Sequence, residues 1–427
     1  MERSDKLYRE YIKILEEELV CAMGCTEPIS VAYAAALARR TLGSLPESIT
    51  VSVSGNILKN VKSVIVPHTG GMRGIEAAAA AGTVAGDPDA ELEVLSSVDE
   101  EGVARMREYL KLGRIEVRHD PSPIVFKIDV VARAGGNEAE VMITDDHTNV
   151  VLIRLNDRIC LDHRDVRHTE ADAADRSLLT EEKIIEFADC LDPEDVRKVF
   201  GRQIECNMRI AEEGMKNSYG ANIGKVLVSA YGKDVKIMAR AMAAAASDAR
   251  MNGCELPVVI NSGSGNQGIT SSVPVIVYAR EYGKSEEELF RALAVSNLTT
   301  VHLKSGIGTL SAYCGAVSAG VGAGAGICYL LGGGFTEVAH TVVNAVAIVS
   351  GIICDGAKAS CAAKIASAVD AGILGMQMYR DGNEFHGGDG IVKKGVENTI
   401  ASVGRLAKDG MSGTDREIIE LMLGDVC

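Results

Sequence analysis

Three cysteines in the last third of the chain, Cys314, Cys354 and Cys361, lie in glycine- and alanine-rich sequence where charge is scarce. Between residues 301 and 350 only Lys304 and Glu337 are charged. A thiolate is a soft ligand, and three thiols meeting in apolar surroundings suit an iron–sulfur cluster. Cubane clusters usually take four cysteines; three leave one iron open to act as a Lewis acid. Cys354 and Cys361 are two helical turns apart, so a straight helix would put both thiols on one face about 10 Å apart. That is wide for one cluster. Asp355-Gly356 offers a bend that brings Cys354 inward and leaves Cys361 on the following helix. The spacing alone matches no familiar ligand signature, and buried cysteines are common small hydrophobes. Cys160, Cys190, Cys206, Cys254 and Cys328 are read in that second way, and Cys21 as core.

A fourth cysteine, Cys25, stands just before a helix start, in Met23-Gly24-Cys25-Thr26-Glu27-Pro28. A capping Thr, an acid and a Pro mark the first turn. Backbone N–H groups and the helix dipole favour a thiolate there, which would lower the pKa of Cys25 and make it a base or nucleophile. The alternative is a cysteine packed under the helix start. Two glycine-rich loops look built for an anion. Pro67–Gly74 presents His68, Thr69, Gly70 and Gly71, and Asn261–Gly268 presents Asn266 and Gln267. Their amides and side chains could hold a carboxylate. Each could equally be a tight turn that needs glycine, and neither is a phosphate loop, since no Gly-Lys-Ser/Thr follows.

The elements that must position these residues change character along the chain. Leu7 to Val20 and Ile29 to Ala38 have helical spacing; Ser48–Val53 alternates as a half-buried strand. Val61–Val66, Ile124–Val131 and Glu140–Leu155 also read as strands, the last broken by an Asp145-Asp146-His147 turn. The charged stretch from Asp157 to Lys198 reads as solvated helices and connections. Beyond about residue 205 short, glycine-interrupted helices dominate, apart from a strand-like Leu256–Ile260. The fold class is α+β: a mixed α/β domain over residues 1–200 and a helical, cluster-bearing domain over residues 201–427.

Composition narrows the function. A net charge of −15 over 427 residues argues against nucleic acid as a partner. Eleven cysteines without a regular framework point to a reducing compartment, and the charged N-terminus has no signal-peptide pattern, so the expected location is the cytoplasm. Ser305–Thr336 carries no charge and is long enough to span a bilayer, but it is mostly Gly, Ala and Ser and lacks basic flanks. A pair of buried, tightly packed helices is expected instead. The sequence is compatible with a homodimer without fixing an assembly.

These pieces together resemble the L-cysteine desulfidase family, relatives of the iron–sulfur L-serine dehydratases. The resemblance runs through Gly24–Pro28, Pro67–Gly74, Asn261–Gly268, Tyr313-Cys314-Gly315 and Gly351–Cys361, nearly the whole chain. It implies a [4Fe–4S] cluster held by Cys314, Cys354 and Cys361, Cys25 as the catalytic base, and a carboxylate loop at His68–Arg73. The implied reaction is elimination on a small amino acid, L-cysteine to pyruvate, ammonia and sulfide, without pyridoxal phosphate: Lys304, Lys358 and Lys364 have no phosphate cradle beside them. The alternatives are an L-serine or L-threonine dehydratase and a non-catalytic thiol or redox sensor. In the related dehydratases a C-terminal cysteine can cap the open iron; Cys427 could do the same, or be a loose end.

Overall fold

The computed structural model describes residues 1–164, 173–308 and 310–424. Cys427 therefore lies outside the described residues. The fold is α+β, with a six-stranded sheet in the first part of the chain and helices beyond it.

The sheet runs in the order Ile115–Asp120, Ser48–Ser54, Lys127–Ala134, Asn137–Thr144, Val150–Leu155, Arg158–Asp162. Only the first pair is parallel. Ile49, Val51 and Val53 point inward with Ile128 and Val130, as a period of two requires. That face packs under the Thr26–Leu42 helix, and the Gly74–Ala85 helix packs on it in turn. Val61–Val66 is not a strand. Gly55–Val61 is helical, and the apolar residues after it enter a turn in which Ile65 bridges only to Arg73.

The second core draws on both ends of the sequence. The Lys6–Glu18 helix and residues from Ala174 onward pack into it, so the two cores are interleaved along the chain. A three-residue strand, Pro257–Val259, sits among these helices and pairs antiparallel with Cys21–Met23. At the centre is the Gly315–Leu330 helix, surrounded by the Gly265–Glu281, Glu286–Ser305, Phe335–Val349 and Cys361–Arg380 helices. The uncharged Ser305–Thr336 segment is thus one buried helix with its flanking turns, where a pair was expected. Among the described residues no helix is long and apolar enough to cross a membrane.

Small residues let the central helix approach its neighbours closely. A Cβ at Gly324 would lie 2.6 Å from the Gly372 Cα, and one at Gly320 2.5 Å from the Ala368 backbone carbon, so both face the Cys361–Arg380 helix. Gly322 and Gly326 do the same against the Glu286–Ser305 helix, where their Cβ atoms would meet the Ser296 carbonyl at 2.5 Å and the Ala292 carbonyl at 2.8 Å. A one-carbon addition at Gly324 must push two backbones apart, which costs about 1–3 kcal/mol in a packed core. Gly324→Ala should therefore lower the chemical denaturation midpoint. Gly201→Ala, a helical position with open space around it, should leave the midpoint unchanged or raise it.

Candidate active site

Four helices begin at one cavity of about 110 Å³ between the two cores. Cys25 is the N-cap of Thr26–Leu42, Ser264 of Gly265–Glu281 and Cys314 of Gly315–Leu330, and Cys361 opens Cys361–Arg380. All four residues line the cavity, together with Cys354. Helix N-termini carry partial positive charge and unpaired N–H groups, so their convergence favours anionic contents.

Short backbone contacts bring the thiols together. Tyr313 bridges to Ile353, the Cys314 N–H donates to the Ile352 carbonyl at 3.2 Å, and the Cys354 N–H donates to Ala312 at 2.6 Å. Gly356 then turns the chain with φ of 94°; a Cβ there would also lie 2.1 Å from the Lys59 carbonyl. After that turn Cys361 begins its helix, with its Sγ 3.6 Å from the Gly356 carbonyl. Lys364 ties the loop by donating to the Ile353 carbonyl at 2.9 Å and pairing with Asp355, which also takes Lys358. On the other side, the Cys21–Met23 and Pro257–Val259 ribbon delivers Cys25 and the Asn261–Gly268 loop to the cavity side by side.

The electrostatics of the thiols differ. Cys354 is held below the ordinary thiol range, first by a hydrogen bond from Cys314, then by Lys59, the Gly356 N–H and Lys364, against the opposing effect of burial. Cys314 is raised by the same hydrogen bond and by burial. Burial also raises Cys361. Cys25 is 1% exposed, and burial pushes its thiol up to about 12, opposed by Arg250. This reverses the lowering expected from its place at a helix start: the cost of burying a thiolate outweighs the N-terminal N–H groups.

The structure brings Cys25, Asn266, Gln267, Cys314, Cys354 and Cys361 into one cavity. It does not bring His68, Thr69, Gly70 and Gly71 there. Thr69 Oγ1 donates to the Val66 carbonyl at 2.7 Å and accepts the Met72 N–H at 3.1 Å. Together with His68, Gly70 and Gly71 at positive φ, these bonds close a turn ahead of the Gly74–Ala85 helix. Cys160, read as a buried hydrophobe, is exposed on the last strand of the sheet.

Lys59, Arg250 and Lys304 are all at least nine-tenths buried beside the cavity; sequence reasoning missed Lys59 and Arg250, and singled out Lys304 only as a lysine without a phosphate cradle. Burial lowers Lys304 to about 8. Arg250 carried a usable signal, since it falls among buried alanines of the Val235–Met251 helix, where a charge needs a reason.

No group of three His, Cys, Asp or Glu side chains among the described residues could hold a single metal ion. A cluster of several irons gives each thiolate a separate iron, and the donor set here is soft: three thiols, one of them favoured as thiolate, with lysines to offset negative charge. Gly315, next to Cys314, leaves room only for hydrogen, because a Cβ would meet the Gln267 Cδ at 2.7 Å. The residues present fit an iron–sulfur cluster.

The profile of the serine dehydratase alpha chain family matches residues 89–420. The chain belongs to that family. A UPF0597 protein of Desulfitobacterium hafniense is 57% identical over 99% of this chain and 98% of the relative. UPF0597 proteins of Treponema denticola and Lachnoclostridium phytofermentans are 47% and 48% identical, each over 98% of this chain and over 98% and 100% of the relatives.

Lys59 links the cavity to the Ser412–Gly424 helix. Its Nζ meets Asp415 Oδ1 at 2.5 Å, and the Ser412–Gly424 helix packs on Gly55–Val61. Removing one partner of a buried pair leaves an uncompensated charge at a cost of about 3–5 kcal/mol. Asp415 keeps some solvent contact, so Asp415→Asn should destabilise by about 3 kcal/mol in urea unfolding. Asp409→Asn on the exposed turn before it should not.

Proposed function

We propose that this protein is a lyase that eliminates the β-substituent of a small amino acid, with L-cysteine as substrate and pyruvate, ammonia and hydrogen sulfide as products. The observation that carries this reading is the meeting of Cys25 with Cys314, Cys354 and Cys361 in one buried cavity. Membership of the serine dehydratase alpha chain family supports it, because loss of water from serine and of hydrogen sulfide from cysteine are the same α,β-elimination.

In this reading Cys314, Cys354 and Cys361 hold a [4Fe–4S] cluster. When bound, the cluster supplies an open iron as a Lewis acid for the leaving group. The chain's own residues do the rest. Cys25 first releases its own proton to water, with Arg250 as the neighbouring charge that favours the thiolate, and then takes the α-proton, which returns it to the neutral thiol. Breaking the Cβ–S bond with loss of that proton gives aminoacrylate and sulfide, and water then converts aminoacrylate to pyruvate and ammonia. Burial of the cavity walls keeps water from the reacting carbons until then. Free thiols suit the cytoplasm, where the reading places the enzyme.

Anaerobically prepared protein should contain iron and release sulfide from L-cysteine; release of none would overturn the reading. Ala at Cys314, Cys354 or Cys361 should lose iron. Cys25→Ala should keep the iron and lose activity by about 10²-fold or more. The family name favours a second reading, L-serine as substrate. Comparing kcat/KM on L-serine and L-cysteine with one preparation separates the two.

A further inference from the structure

The cavity also holds charged and polar groups whose hydrogen-bonding capacity the elimination step leaves unused. Arg250 is 4% exposed and lines the cavity, and among the described residues no carboxylate pairs with it. Its Nε donates to the Gly24 carbonyl at 3.0 Å, which anchors it to the segment just before Cys25. Gly265 backs it closely: a Cβ there would lie 2.4 Å from that Nε. A buried guanidinium without an acid is costly unless an anion completes it, and its planar fork fits a carboxylate with two parallel hydrogen bonds.

Opposite in charge, Glu27 is the one acid among the described residues lining the cavity. Asn60 Nδ2 donates to its Oε1 at 3.0 Å and Thr26 Oγ1 to its Oε2 at 3.2 Å, which orients the carboxylate and leaves further lone pairs free. Two buried amide oxygens in the same lining, Asn266 Oδ1 and Gln267 Oε1, have no donor. The Gln267 orientation is set by its Nε2, which donates to the Ser262 carbonyl at 3.4 Å. Three acceptors facing one space call for a group with several N–H bonds. The Cys25 thiol feels the fields of Arg250, Glu27 and Cys361 together, so it lies among these groups and beside the three-cysteine set.

Resting on the amino-acid lyase reading, we propose that the cavity recognises both charged groups of a free α-amino acid. Arg250 takes the carboxylate, and Glu27 with the amide oxygens of Asn266 and Gln267 takes the ammonium. An α-carbon bearing both is then held at Cys25, with its β-substituent toward Cys314, Cys354 and Cys361. This gives the carboxylate to Arg250 rather than to the His68–Gly71 turn, which does not line the cavity. Peptides and amino-acid esters or amides, in which no single α-carbon bears both charges, are excluded as substrates.

The test compares L-cysteine with two analogues on anaerobic, iron-replete protein: cysteamine, which lacks the carboxylate, and 3-mercaptopropionate, which lacks the ammonium. Binding of the analogues is measured by calorimetry and L-cysteine by its KM. Arg250→Gln should raise the KM for L-cysteine about 10- to 100-fold, the range of a lost charged hydrogen bond. The same variant should leave cysteamine binding within about threefold. Glu27→Gln should raise the KM similarly and leave 3-mercaptopropionate binding unchanged. Arg250→Lys, which keeps the charge but loses the fork, should fall between wild type and Arg250→Gln at unchanged iron content. An unchanged KM in Arg250→Gln, or equal weakening of cysteamine and L-cysteine, would overturn the assignment while leaving the lyase reading intact. Wild-type protein that binds none of the three and releases no sulfide would instead remove the reading on which the assignment rests.

Discussion

Everything around the cavity depends on four helices starting at one place. Like dipole ends repel, and their free N–H groups need partners, so such a convergence is stable only around negative charge or acceptors. Among the described lining residues, the Glu27 carboxylate, the amide oxygens of Asn266 and Gln267 and the thiols of the cysteines are the groups that can answer it. The helices are held there by contacts away from the cavity. The glycine-to-backbone crossing of Gly315–Leu330 with Cys361–Arg380 sets how far Cys314 stands from Cys361. A bulkier interface would bury more area, but it would separate the two thiol-bearing helix starts.

The cavity lies between two cores, and each supplies part of the chemistry. The elements packed on the sheet contribute Glu27, Lys59 and Asn60, and the helical side contributes Arg250, the Asn261–Gly268 loop, Lys304, Cys314 and Cys354; Cys25 and Cys361 meet between them in a small cluster with Val64 and Met251. The seam is fastened at three places. The Cys21–Met23 and Pro257–Val259 ribbon crosses it, Arg250 Nε donates to the Gly24 carbonyl at 3.0 Å, and the Ser412–Gly424 helix reaches back to Lys59. A site built at such a seam gains lining groups of opposite charge that neither core could bury alone.

Burial has opposite consequences for the two kinds of cysteine. At Cys354 the hydrogen bond from Cys314, with Lys59, the Gly356 N–H and Lys364, outweighs desolvation and holds the thiol below its ordinary range. At Cys25 a single guanidinium faces full burial and does not prevail, so the thiol is neutral at rest. A neutral thiol is also a poor target for oxidants, which attack thiolates.

Much of this was legible in residue order. Periods of two and of 3.6 marked Ser48–Ser54, the hairpin around Asp145–His147 and the Thr26–Leu42 helix, because a half-buried element writes its burial directly into its spacing. The Asp355-Gly356 bend and the cysteine trio were also visible, since a glycine turn and a set of soft ligands are local facts. Ile115–Asp120 escaped notice because it lies at the sheet edge with charges on half of its positions, and Val61–Val66 misled because an apolar run does not distinguish a strand from a helix end and turn. The tertiary structure alone decided that Arg250, Lys59 and Lys304 are buried at the cavity, that His68–Gly71 stays outside it, and that the Cys25 thiol is raised. Burial of a charge depends on which distant segments close over it. Local sequence names the candidates for chemistry, and only the packing of two cores sets the field in which they act.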